Sequence, residues 1–253
     1  MARPLRHDGN REASSWLMRF GAVVFACFVL GTPLHAADAV GGSLSLTSEY
    51  LVRGVTRSNH DPALQFDLHY LTTAGVFAGL FVSSARIDPN DSIDAELSGY
   101  VGYAWTGSDD WHARAMYSHY AYPWNDHGSD YDYDEFSAQL SYQGWVQLSA
   151  SYAPNYWRYQ PRQRELYSVA EESVEVNLQH PLFKKFSLTG GLGYAHVGGM
   201  YPSGYVYYSA GAAYDIGPVS LALSYVNTDN RAKRLFYHAA ADNRLISTVI
   251  WRF

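Results

Sequence analysis

Cysteine is almost absent: the 253 residues contain one, Cys27. It falls in an N-terminal stretch that reads as an export leader. Positive charge ends at Arg19, an apolar run covers Gly21 to Leu30, and Ala36, Ala37 and Ala39 offer a cleavage site. Residues 1–37 are therefore expected to be a cleavable signal peptide and 38–253 one domain. A retained anchor helix is the other reading, but the apolar run falls short of the roughly 20 residues a membrane-spanning helix needs. No later segment is longer or more apolar. Without thiols the exported part cannot be stapled by disulfides, so its fold must hold by other means.

Basic charge is also scarce. The chain has 18 Lys+Arg against 24 Asp+Glu. Removing the leader takes away Arg3, Arg6, Arg11 and Arg19 with Asp8 and Glu12, leaving 14 against 22. That excess of acid argues against a nucleic-acid partner, which would call for a basic surface. What is abundant is tyrosine, 22 copies, beside 7 Trp and 21 Gly, at a mean hydropathy of −0.23. A membrane barrel has such a composition because half of every strand faces water inside it.

Period-two alternation runs through nearly all of residues 43–253, with no sustained helical period. The expected strands are 43–53, 62–73, 75–85, 93–105, 111–122, 132–143, 145–156, 167–180, 184–196, 205–216, 218–227 and 242–253. Links after the odd-numbered strands run to about 7–14 residues and those after the even-numbered ones to about 1–5. This sorting fits a closed antiparallel barrel of about twelve strands, with tight periplasmic turns and long external loops. Closure leaves no unpaired edge.

If the more apolar parity of each strand faces lipid, the outward aromatics fall at two heights. Tyr50, Tyr117, Tyr152, Tyr194, Tyr208 and Tyr225 sit toward the loops. Tyr70, Tyr103, Trp105, Trp111, Tyr142, Phe186, Tyr214, Trp251 and Phe253 sit toward the turns. Two aromatic girdles mark two membrane–water interfaces. The final strand closes on Phe253, an aromatic end of the kind the barrel-assembly machinery reads.

Several segments, Ser48-Glu49-Tyr50-Leu51-Val52-Arg53-Gly54-Val55-Thr56 foremost, then Asp61-Pro62-Ala63-Leu64-Gln65, Tyr152-Ala153-Pro154-Asn155-Tyr156 and Ser224-Tyr225-Val226-Asn227-Thr228-Asp229, give the chain a resemblance to the proteobacterial TorF family of porins. The resemblance covers most of residues 38–253 and implies an outer-membrane barrel without naming a solute. Arg57 and His60 stand in the first loop where relatives often carry Gln or Ser.

Twelve strands about 4.8 Å apart, tilted roughly 40°, enclose a backbone radius of about 12 Å. That lies between filled eight-stranded barrels and wide pores. The inward parity places Glu49, Arg53, Asp67, Asp94, Glu96, Arg114, Glu135, Glu171, Glu175 and Arg244 on the lumen wall. Carboxylates outnumber arginines, so a channel for passive diffusion of small solutes with a mild cation preference is expected. Cross-strand pairing of these charges is the competing reading. Glu171, Ser173, Glu175 and Asn177 form the longest inward polar stripe and are the first constriction candidates.

The acidic stretch Tyr122–Glu135 reads as a solvated external loop, its spacing fitting no calcium-binding pattern. Lipid hydrolysis would need a serine within reach of an oriented histidine. Ser118 and His119 are adjacent, so they face opposite sides of a strand, and no Gly-x-Ser-x-Gly or His-Glu-x-x-His occurs. A surface-binding barrel using loop aromatics such as Tyr156-Trp157-Arg158-Tyr159 is the third class. No cofactor or metal is expected; the expected partners are membrane lipids, the assembly machinery through Phe253, and small solutes.

Overall fold

The computed structural model describes residues 38–253 except 87–93, 107–109, 125–130, 161–164, 199–203 and 237–238. The expected leader lies outside the described residues. Twelve antiparallel strands close into one barrel. They are β1 (Ala39–Thr47), β4 (Ala63–Leu71), β5 (Val76–Ala85), β6 (Asp94–Thr106), β7 (Trp111–Ala121), β8 (Tyr133–Tyr142), β9 (Val146–Gln160), β10 (Glu165–Phe183), β11 (Phe186–Val197), β12 (Tyr205–Ile216), β13 (Val219–Thr228) and β14 (Arg244–Arg252). Each wall strand pairs with its neighbour in sequence, and β1 completes the circle by pairing with both β4 and β14.

The alternation that forms the wall is plain in β13. Ser220, Ala222, Ser224, Val226 and Thr228 are buried in the interior, whereas Leu221, Leu223 and Tyr225 are 40–50% exposed outside. The same parity puts Leu44, Leu46, Leu64, Phe66, Leu68 and Leu140 on the outside. A continuous apolar belt of this extent cannot face water and calls for a bilayer. Outward aromatics occupy both ends: Tyr117, Tyr152, Tyr194, Tyr208 and Tyr225 near the loops, and Tyr70, Tyr103, Trp105, Trp111, Tyr214 and Trp251 near the turns. At two places a strand glycine lets an inward ring lie across its neighbour. A Cβ at Gly193 would overlap the Tyr207 ring, and one at Gly79 the Tyr100 ring.

Three expectations need correction. The first wall strand ends at Thr47 rather than Arg53. Residues beyond it turn into the barrel, so Tyr50 is 3% exposed inside instead of standing in the outer girdle, and Val52 does not face lipid. The apolar–polar alternation continues through Val52, but the chain spends it on a separate hairpin, β2 (Leu51–Val52) with β3 (Val55–Thr56). Second, much of the long link expected after the seventh wall strand is itself strand on both sides of residues 161–164. β9 and β10 stay paired up to Gln160 and Glu165, so Tyr156, buried, and Trp157, partly buried against it, are wall residues and not loop aromatics. Third, the acidic stretch is not wholly a solvated loop: Pro123 and Trp124 are exposed, but Tyr122, Tyr131, Tyr133 and Glu135 pack inward.

Candidate functional site

The interior at the loop end is organised by the β2–β3 hairpin. Its turn is Arg53-Gly54, with φ of +51° and +76°. Two successive positive values define the tight turn that matches the twist of a two-stranded ribbon. Gly54 suits this freely, and a Cβ there would come within 2.7 Å of Thr228 Cγ2. Arginine does not suit it, at a cost of about 1–2 kcal/mol. Its side chain offsets that strain. The guanidinium forms an ion pair with Glu135 on β8 and another at 2.8 Å with Glu171 on β10. It also donates to Ser173 Oγ at 3.1 Å and Ser151 Oγ at 2.6 Å. One cation on the hairpin tip thus gathers three strands of the far wall.

The base of the hairpin is fixed by different chemistry. Glu96 on β6, fully buried, accepts from Tyr50 Oη at 2.7 Å and Tyr122 Oη at 2.5 Å. Glu49 lies 2.9 Å from Arg244 Nε and 3.1 Å from His60 Nδ1. Arg57 donates to Tyr156 Oη at 2.6 Å and lies over the rings of Tyr156 and Trp157. Around it Tyr120 stacks on Tyr133 at 4.5 Å between centroids, and Tyr131 meets Trp157 edge-on. Leu51 packs on Val226 and Ile246.

Below the tip lies a cavity of about 80 Å³, room for a few water molecules. Its wall includes Arg53, Arg114, Gln139, Ser149, Glu175 and Tyr207. Glu175 is 6% exposed and is held by Asn177 and by Tyr207 Oη at 2.9 Å. Nearer the turns, Asp67 binds His69 Nδ1 at 2.8 Å and Tyr100 Oη at 2.7 Å.

Of the ten residues expected on the lumen wall, Asp67, Glu96, Arg114, Glu135, Glu171, Glu175 and Arg244 lie on wall strands and face inward. Glu49 and Arg53 also point inward, but from the first loop and the hairpin tip rather than from β1. The Asp94 side chain lies outside the described residues. The structure brings Arg53, Glu135 and Glu171 together, and Glu49 with Arg244. Arg57 and the inward tyrosines 122, 133, 156 and 207 are the residues that sequence reasoning left out. Ser118 is buried inside and His119 exposed outside, as their adjacency requires. The partner of His119 is Asp134, at 2.9 Å on the outer face. Among the described residues no group of three His, Cys, Asp or Glu is placed to hold a metal ion. Phe253 is half-exposed and stacks on Phe66.

The sequence profile of a bacterial family of unknown function, Gcw_chp, matches residues 35–251. The chain belongs to that family. The matched Gcw_chp region includes the hairpin and every wall strand save the last residue of β14. No curated protein sequence matches the chain. Among solved structures, the NanC porin in a rhombohedral crystal form is similar at TM-score 0.52 and 12% identity, over 85% of this chain and 98% of that one. The KdgM porin is similar at TM-score 0.49 and 8% identity, over 86% and 99%. At 12% identity the first likeness carries the fold, a twelve-stranded barrel of the outer-membrane type, and nothing about solutes.

Proposed function

We propose that this Gcw_chp barrel is an outer-membrane channel for passive diffusion of small polar solutes, its loop end outside the cell. One observation carries the reading: a wall that is apolar outside encloses an interior that is ionised and hydroxyl-lined. Charges are retained inside a membrane span where they meet water or one another. The TorF-like segments support the same reading, since the most specific of them, residues 48–56, contains the hairpin that reaches into the lumen. The tip of that hairpin, with Glu135 and Glu171, is the constriction.

A mild cation preference goes with it. The described interior of the channel sets Glu49, Asp67, Glu96, Glu135, Glu171, Glu175 and Asp215 against Arg53, Arg57, Arg114, Arg244 and Arg252. Pairing reduces the field of most of these carboxylates. Glu175 forms no ion pair among the described residues and faces the cavity, so it contributes most to selectivity.

Single-channel recording of the refolded 38–253 chain in a planar bilayer under a salt gradient tests this. Stepwise openings with a cation-biased reversal potential, less biased in Glu175→Gln, are expected. A folded barrel that stays silent at all voltages would mean that the hairpin seals the lumen, and a surface-binding role would replace transport.

A further inference from the structure

The registers of β7 to β10 set four inward side chains abreast. Arg114 pairs with Gln139, Gln139 with Ser149, and Ser149 with Glu175. All four belong to the wall of the cavity beneath the hairpin tip. The row therefore starts on a guanidinium, passes an amide and a hydroxyl, and ends on a carboxylate. Its ends stand three strand spacings apart, about 14 Å between backbones, and both side chains border the one cavity.

The surroundings preserve that polarity. In the rows above and below, β8 and β9 pair Ser137 with Ser151 and Ser141 with Gln147, so the panel between the two charges is hydroxyl and amide throughout. Overhead, Arg53 is held between Glu135 and Glu171. Arg114 is the guanidinium that the wall itself presents to the cavity.

The two ends suit different groups. Glu175 accepts from Asn177 and from Tyr207 Oη at 2.9 Å, and a carboxylate has lone pairs for further donors. Asn177, buried beside it, has a side-chain carbonyl oxygen with no hydrogen bond among the described residues. This acceptor-rich corner fits an ammonium group, which has three hydrogens to donate and accepts none. Arg114 fits a carboxylate, whose planar geometry a guanidinium matches.

Opposite charges at the ends of a neutral panel discriminate in a particular way. A simple cation is attracted at Glu175 and repelled at Arg114, and a simple anion the reverse. A solute that carries both charges is attracted at both ends when it aligns with the row. The cavity volume of about 80 Å³ restricts it to a small one.

We infer that the solutes this channel favours are small zwitterions of the amino-acid class, held with the ammonium group toward Glu175 and the carboxylate toward Arg114. The inference rests on the transport reading and narrows it. Tracer entry into liposomes holding the refolded 38–253 barrel is measured for alanine, lactamide, lactate and alaninamide, with entry into protein-free liposomes subtracted. These probes present one three-carbon skeleton as zwitterion, neutral molecule, anion and cation. Alanine is expected to enter about fivefold faster than lactamide, the margin by which a charged hydrogen bond exceeds a neutral one. In Arg114→Gln and in Glu175→Gln, each shown folded by heat-dependent gel mobility, that ratio should fall toward one. The first variant should come to prefer alaninamide and the second lactate. The exchanged pair Arg114→Glu/Glu175→Arg should restore the preference for alanine, which a merely structural role would not do. Equal entry of alanine and lactamide into the unaltered barrel, or an alanine preference that persists in both single variants, overturns the inference and leaves transport standing. Entry of none of the four sinks the transport reading, and the inference with it.

Discussion

The two halves of the barrel interior solve the same problem differently. At the loop end the wall carries Glu96, Glu135 and Glu171, and each is neutralised or hydrogen-bonded by a side chain from the first loop, Tyr50 or Arg53. At the turn end most buried inward groups are small and neutral, Ser141, Ser187, Thr189 and Ser220 among them, and the charges present, Asp67 with His69 and Tyr100, and Asp215 and Arg252 through Ser220, are met by other wall residues. A buried carboxylate needs a partner of matching charge or several donors, and a hydroxyl satisfies itself locally. The charged half therefore required a piece of chain brought in from outside the wall, and the neutral half did not.

The comparison can be broken most sharply at Arg53. Replacing it with alanine strands Glu135 and Glu171, and losing one member of a buried pair costs about 3–5 kcal/mol. Unfolding monitored by heat-dependent gel mobility should show that loss. Single-channel current in the surviving folded fraction should rise as the hairpin lifts. An unchanged conductance would mean that the tip is no constriction. Tyr50→Phe is next: Glu96 keeps Tyr122 but loses one of its two donors, for about 1–3 kcal/mol. In the neutral half, Ser187→Ala should move stability by less than about 1 kcal/mol. A larger loss there would erase the distinction between the halves.

The smallest effect belongs to Asp38, just before β1. Hydrogen bonds from Tyr70 Oη at 2.5 Å and the Thr73 amide at 2.9 Å hold its carboxyl below the usual carboxylate range. A depressed value stabilises the folded state above the unfolded carboxyl pKa, about 3.9, and the benefit disappears as pH falls through the folded value. Asp38→Asn should flatten the acid limb of a stability–pH curve below about pH 4 by a small amount. The curve near neutrality should keep its shape.

The wall was legible in the sequence because its signal is local. Alternation along β13 or β14 follows directly from which parity is apolar, and the tight turns announce themselves in pairs such as Gln143-Gly144. The hairpin was not legible for the same reason. Leu51-Val52 continues the alternation of Leu44 and Leu46, and periodicity cannot distinguish a strand that stays in the wall from one that turns inside it. The one available clue was Arg53-Gly54 between β-branched residues, a turn pair of the kind hairpins favour. Inward placement of Glu135, Glu171 and Glu175 followed from parity, but their partners did not. Arg53 meets Glu135 across 82 residues and Ser173 across 120, and nothing local encodes such a meeting.

Those separations also fix an order in time. β8 and β10 must be synthesised, threaded and folded before Arg53 has anything to hold, and β1 meets β14 only when the last strand arrives. Contacts so distant along the chain form late. The constriction therefore cannot be set before β8 to β10 are in the wall, and the lumen is narrowed from within only late in assembly.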